Sequence, residues 1–376
     1  MRSVFGPRNS RSRLRHGRKQ ASAISRVLGL LLGIAMPATG RSSTPKPRAS
    51  TAVKPGTRKA GPETAAQVGR TGARRKAEGD PDPKTAPRGA SFRLGVHRCG
   101  HGQRRYKIFT PSCASGTAKP LPLLVMLHGC GQTPDDFAKG TRMNALAEEL
   151  GLIVVYPAQS REAHPNRCWN WYRPDDQNRG AGEPALIADL TRRVLENHPV
   201  DPSRVYVAGL SAGASAALVL ADAYPDLFAA VGAHSGLPVG AARDHASAVI
   251  AMQQGNPGHR RTVAIPTITF SGSADRVVNP RNGRFVAIRA LEPFPYLRQT
   301  ERAGQVPGGH AYLRTTHRVG KGPSRVEQWL IKGSGHAWSG GAKAGRFTDP
   351  AGPDASREML RFFLRHKLPS RGGRLA

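Results

Sequence analysis

The residues Gly209-Leu210-Ser211-Ala212-Gly213 form a G-x-S-x-G pattern between an apolar stretch, Arg204 to Ala208, and an Ala-rich segment. A strand before the motif and a helix after it let small flanking residues turn the chain tightly and project a serine hydroxyl from a sheet edge. Ser211 is therefore the candidate nucleophile. A serine hydroxyl at its ordinary pKa is a weak nucleophile, so the chemistry requires a base within hydrogen-bond reach and a carboxylate to orient that base. Downstream, Asp275 follows the apolar run Pro266 to Phe270, and His336 follows Glu327 to Ile331 inside Gly333-Ser334-Gly335-His336. Both positions are predicted strand ends. Asp222, Asp226 and Asp244 compete for the carboxylate, and His234, His310 and His317 for the base. Asp222 and Asp226 lie in or just after the helix that follows Ser211, which carries them away from the edge.

Acyl transfer also needs donors for a tetrahedral oxyanion. The main-chain N–H of Ala212, at the start of that helix, is one candidate. The other is the N–H of Cys130 in His128-Gly129-Cys130-Gly131-Gln132, the turn after the buried run Leu121 to Leu127. A second cluster, Cys168-Trp169-Asn170-Trp171-Tyr172, together with Trp338 close to His336, offers aromatic surface for a substrate. Trp169, Trp171 and Trp338 are the candidate binding residues; filling space beneath the site is the alternative role.

These residues need a sheet to hold them. From Ser91 onward short apolar runs alternate with amphipathic segments, as in a sheet covered by crossover helices. Arg93 to Val96 and Arg105 to Phe109 read as an antiparallel pair. Further strands are expected at Leu121 to Leu127, Leu152 to Tyr156, Arg204 to Ala208, Ala229 to Ala233, Pro266 to Phe270 and Glu327 to Ile331. Helices are expected at Asp135 to Leu150, Pro184 to Asn197, Ala212 to Tyr224 and Ala355 to Arg365. The prediction is an α/β fold with one mostly parallel, doubly wound sheet in a single catalytic domain at 91–368, followed by a short tail at 369–376.

The chain has 376 residues and a net charge of +32, and its first 95 residues carry 21 Lys and Arg against 4 Asp and Glu. Residues 1–90 lack aromatic residues after Phe5 and read as a signal-like leader and a disordered basic linker. Within them Val27 to Met36 is too short to span a bilayer but suits the apolar region of a signal peptide. Secretion or periplasmic export is expected, with a cytoplasmic protein bearing a basic arm as the alternative. No other run suggests integral membrane association. Cys99, Cys113, Cys130 and Cys168 permit two disulfides; the preferred pairing is Cys99 with Cys113 and Cys130 with Cys168, against four free thiols. No Cys-x-x-Cys pair supports a zinc ribbon.

HGCGQ, TRMNALAEE, CWNWY, GLSAG, AHSG, GSGHAWSGG and TDPAGPDASREMLRFF together resemble the polyhydroxybutyrate depolymerase-like esterases. The resemblance runs from about Ser91 to Leu368. It implies an α/β-hydrolase domain and a serine carboxylesterase that uses Ser211, Asp275 and His336 without metal or organic cofactor. It also implies an ester substrate, either a short-chain polyhydroxyalkanoate or a feruloyl or acetyl ester of plant polysaccharide. A basic binding protein for nucleic acid or anionic polysaccharide is the rival from another class. No base-reading motif supports a specific nucleic-acid partner, although the basic N-terminal segment suits weak polyanion binding.

Overall fold

A computed structural model describes residues 89–116 and 119–369. The apolar run Val27 to Met36, the basic segment and the end of the tail lie outside the described residues. Strands β1 (Ser91–Cys99) and β2 (Gly102–Thr110) pair antiparallel from Ser91 opposite Thr110 to Cys99 opposite Gly102. They are followed by β3 (Leu121–Leu127), α1 (Pro134–Thr141), α2 (Met143–Leu150), β4 (Ile153–Pro157), α3 (Gly182–Asn197), β5 (Val200–Leu210) and α4 (Ala212–Ala223). The remainder is β6 (Ala230–His234), α5 (His245–Gln254), β7 (Thr267–Gly272), α6 (Arg281–Leu291), β8 (Leu297–Gln305), β9 (Ala311–Val319), β10 (Ser324–Ile331) and α7 (Ala355–Phe363). The main, ten-stranded sheet runs β1-β2-β4-β3-β5-β6-β7-β10-β9-β8, and a small second sheet pairs Trp338–Ser339 with Thr348–Asp349. The centre of the main sheet, from β4 to β10, is parallel, and an antiparallel pair flanks each side.

Alternation along the central strands builds a core on each face. Leu123, Val125 and Leu127 join Val205, Val207 and Val231 beneath α3, α4 and α5. Leu124 and Met126 join Tyr206, Phe270 and Trp329 beneath α1, α2 and α7. Both faces of β3 are thus buried, which is why it reads as an unbroken apolar run. The chain leaves β3 for β4 on one side, then crosses to β5 on the other. That reversal opens a crevice at the carboxyl ends of β3 and β5, where α/β sheets hold their ligands.

Three expectations need correction. The helix expected at Asp135 to Leu150 is two helices, broken at Arg142, which has φ 55°. Ala342 N–H takes the Gly140 carbonyl, and Arg142 donates to Gly340 O and Asp354, so the loop after β10 competes for groups that a continuous helix would use. The sheet is also extended by the β8–β9 hairpin. Its outer strand, LRQTERAGQ, is mostly exposed and carries Arg298, Glu301 and Arg302, which blunts an open edge but removes the apolar alternation that marks a strand in sequence. Finally, Cys130 and Cys168 form the expected disulfide, but Cys99 and Cys113 are free thiols. Cys99 lies beside the hairpin turn and Cys113 beyond the far end of β2. At about 3.3 Å per residue the strand separates them far beyond the roughly 7 Å Cα limit of a disulfide.

The last strand is pinned by charge. Glu327 on β10 is fully buried and accepts from Arg314 of β9 at 3.0 Å and Arg361 of α7 at 2.5 Å. Burial pushes its carboxyl up, but these guanidinium groups and Ser324 outweigh that and hold it below the usual glutamate value. This fixes β10, and with it the loop that carries His336.

Candidate active site

Ser211 sits between β5 and α4 with φ 57° and ψ −122°, a conformation that costs a non-glycine residue roughly 1–3 kcal/mol. The surroundings enforce it. Ser211 N–H donates to His234 O at 2.8 Å, and Ser211 O accepts from Ala214 and Ser215. The flanking glycines are sterically required: a Cβ on Gly213 would lie 2.2 Å from Leu127 O and 2.5 Å from His128 O, and one on Gly209 would lie 2.3 Å from Gly213 O.

Asp275 and His336 meet. Asp275 Oδ2 accepts from His336 Nδ1 at 2.8 Å, while Oδ1 accepts from Val277 and Val278 N–H, both at 2.9 Å. Burial pushes the carboxyl up, but His336 and the two backbone donors prevail and hold it below the ordinary aspartate value. The loops after β7 and β10 are laced together: Ser273 N–H donates to Ile331 O, Ala274 N–H to Ser334 O, and Gly333 N–H to Ser273 Oγ. A Cβ on Gly272 would strike Ser334 O at 2.3 Å, so the close approach of these loops needs glycine there. No Ser211–His336 hydrogen bond is formed among the described residues.

His234 links the two halves. Its carbonyl holds Ser211, its ring stacks between Phe270 and Trp338, and its Nε2 accepts from Ser339 N–H at 3.0 Å. Burial, aided by the nearby His336 charge, lowers its pKa to about 3. A neutral ring with both nitrogens engaged is a strut rather than a base. The other competitors are also committed: Asp222 pairs with Arg261, Asp226 with Arg179, His310 with Asp349 and His317 with Gln299, while Asp244 caps α5.

In the turn after β3, Gly131 N–H donates to Asn166 O, Gln132 N–H to Gly129 O, and Gly129 N–H to Gln132 Oε1. Among the described residues, no hydrogen bond is recorded for the N–H of Cys130 in this turn or for that of Ala212. His128 Nδ1–H donates to Gly129 O and Nε2 accepts from Gln159 N–H; burial keeps this ring neutral, with its pKa lowered to about 4. The Cys130–Cys168 bridge ties the turn to the tryptophan loop.

The aromatic residues divide. Trp338 is 1% exposed and its indole N–H is spent on Ser356, so it packs in the core and presents no binding face, contrary to expectation. Trp169 is also buried, donating to His128 O beneath the Arg104 guanidinium, but it lines a cleft that reaches Ala212. Trp171, Tyr172 and His164 border this narrow cleft of about 20 Å³. Tyr172 and His245 join this cleft to a broad polar basin of about 620 Å³ lined by Arg173, Asp175, Arg243 and Asp244.

Sequence reading missed the support of the tryptophan loop. Buried Glu183, at the start of α3, accepts from Asn170 and Gln159, and Arg104 lies 3.7 Å from it. Burial raises the Glu183 carboxyl, a shift opposed by Arg104. These groups come from β2, the segment after β4, and α3, and no local spacing signals their meeting.

Residues 105–275 match the family described as Esterase PHB depolymerase. The chain is 34% identical over 239 residues to a poly(3-hydroxyalkanoate) depolymerase C of Paucimonas lemoignei, covering 59% of this chain and 56% of that protein. It is 36% identical over 128 residues to a feruloyl esterase B of Thermothelomyces thermophilus, covering 34% of this chain and 43% of that protein. The chain thus spans about half the length of the curated relatives it matches. Among solved structures, an acetyl xylan esterase from Aspergillus awamori superposes with a TM-score of 0.56 at 19% identity, covering 73% of this chain and 99% of that one, a likeness of fold. The family match spans the strand-turn-helix serine and Asp275, so over residues 105–275 the chain is similar to the Esterase PHB depolymerase family.

Proposed function

We propose that this protein is a serine carboxylesterase that hydrolyses short-acyl esters, 3-hydroxybutyrate oligomers above all, through an acyl-enzyme. The observation that carries the reading is the His336–Asp275 pair on loops laced together at the edge where Ser211 is strained outward. Ser211 Oγ attacks the ester carbonyl while His336 Nε2 takes its proton. The N–H groups of Cys130 and Ala212 receive the oxyanion. Collapse expels the alkoxide, which takes the proton from His336, and water repeats the sequence on the acyl-enzyme. Asp275 keeps the Nδ1–H tautomer that leaves Nε2 free to act.

The broad basin beyond Tyr172 has the room for an oligomer chain next to the cleft that reaches Ala212. The Cys130–Cys168 bridge fits export to an oxidising compartment. The polyester reading also draws on the names of the depolymerase relatives. A substrate panel tests it. The expected result is a kcat/KM for 3-hydroxybutyrate oligomers and p-nitrophenyl butyrate at least about 100-fold above that for methyl ferulate, or about 2.7 kcal/mol in transition-state binding. Preference for the ferulate ester would replace this reading with the plant-polysaccharide one.

A further inference from the structure

Away from this crevice, the outer hairpin carries a second chemical cluster. His97 and Cys99 stand two residues apart on β1, so their side chains leave the same face of the strand, the face covered by α3. Asp189 on α3 meets them there. His97 Nε2 lies 2.7 Å from Asp189 Oδ1, and the imidazole nitrogen, the Cys99 sulfur and the carboxylate oxygen all lie within 4.8 Å of one another. The proposed catalytic steps use none of the three.

We propose that His97, Cys99 and Asp189 form a zinc site that clamps the β1–β2 hairpin onto α3. A thiolate, an imidazole and a carboxylate are the ligands that zinc accepts, whereas calcium and magnesium favour all-oxygen sets. Tetrahedral bonds of about 2.0–2.3 Å place ligand atoms roughly 3.3–3.8 Å apart, so the observed cluster needs only a small side-chain adjustment. The parts able to move are suitable: the Asp189 side chain is 43% exposed and Cys99 is partly exposed, which also gives the ion a way in. His97 is buried and supplies the fixed ligand. Gly102 stands opposite Cys99 and leaves space. The cross-strand neighbour of His97, Arg104, sends its guanidinium to Gln159 and towards Glu183. Binding releases the Cys99 thiol proton, the neutral His97 ring carries its one proton on Nδ1 and ligates through Nε2, and water completes the fourth position. The two negative ligands balance the ion, so uptake weakens in acid.

Chelator-treated full-length protein is titrated with zinc by calorimetry and with cobalt(II) by absorption spectroscopy. One equivalent should bind below micromolar Kd, cobalt should show a thiolate charge-transfer band, and zinc should raise the thermal midpoint. Cys99→Ser should remove the band, and Cys99→Ser and Asp189→Asn should each weaken zinc at least about tenfold, with ester hydrolysis retained as the check on folding. Cys113→Ser should behave as wild type. No stoichiometric uptake, or uptake undiminished by Cys99→Ser, would overturn the site. Because hydrolysis is read separately, failure of the zinc site leaves the esterase reading standing, and the reverse also holds.

Discussion

The role proposed for Asp275 depends on neighbours within a few ångströms. Two backbone N–H groups fix one oxygen and His336 Nδ1 the other, an arrangement that suits the proposed role of orienting the ring and stabilising its charged form. Asp275→Asn keeps the shape but reverses the tautomer preference, and kcat should fall about 10⁴-fold with the fold intact by circular dichroism. A loss below tenfold would remove Asp275 from the mechanism. The positions of Ser211, Asp275 and His336 at strand ends were readable from sequence because each sits in a glycine-marked turn. The tryptophans were not. A large aromatic residue announces buried area without saying whether a wall or the core receives it, and Trp338 went to the core because His234, Phe137 and Ser356 surround it.

The turns and loops at the carboxyl edge depend on close backbone approach and on one covalent tie. Gly213→Ala drives a Cβ into two main-chain carbonyls that have no freedom to yield, so it should lower both soluble yield and kcat, by at least about tenfold for the latter. Unchanged kinetics would show that the β3 turn is looser than its contacts indicate. The Cys130–Cys168 bridge closes a separation of 38 residues, and removing it by double Ser substitution should cost about 4 kcal/mol in denaturant unfolding. The same variant should lose kcat through movement of the Cys130 N–H, whereas lost stability with unchanged kcat would place the oxyanion donor elsewhere. Central strands were legible because both faces are buried. The β8–β9 hairpin was not, because an exposed charged edge carries no apolar period, and neither was the break at Arg142, which is imposed by a loop some 200 residues away.

Across the whole molecule, buried neutral histidines make stability depend on pH. Burial lowers His128 to about 4 and His234 to about 3, while the unfolded chain binds these protons near pH 6.5. The unfolded state therefore holds more protons between those values, and stability falls as pH drops below about 6.5. Each group contributes about 2 kcal/mol of loss between pH 6.5 and 5. The urea midpoint should fall over that interval; a flat midpoint would mean these rings already carry charge in the fold. The account as a whole rests on a single activated hydroxyl, which a fluorophosphonate probe reads directly. Peptide mapping of the labelled protein should find the adduct on Ser211 alone, with hydrolysis of p-nitrophenyl butyrate lost in step with labelling and Ser211→Ala inactive by about 10⁴-fold or more. Label on another residue, or a folded Ser211→Ala protein that hydrolyses the ester at the wild-type rate, would contradict it.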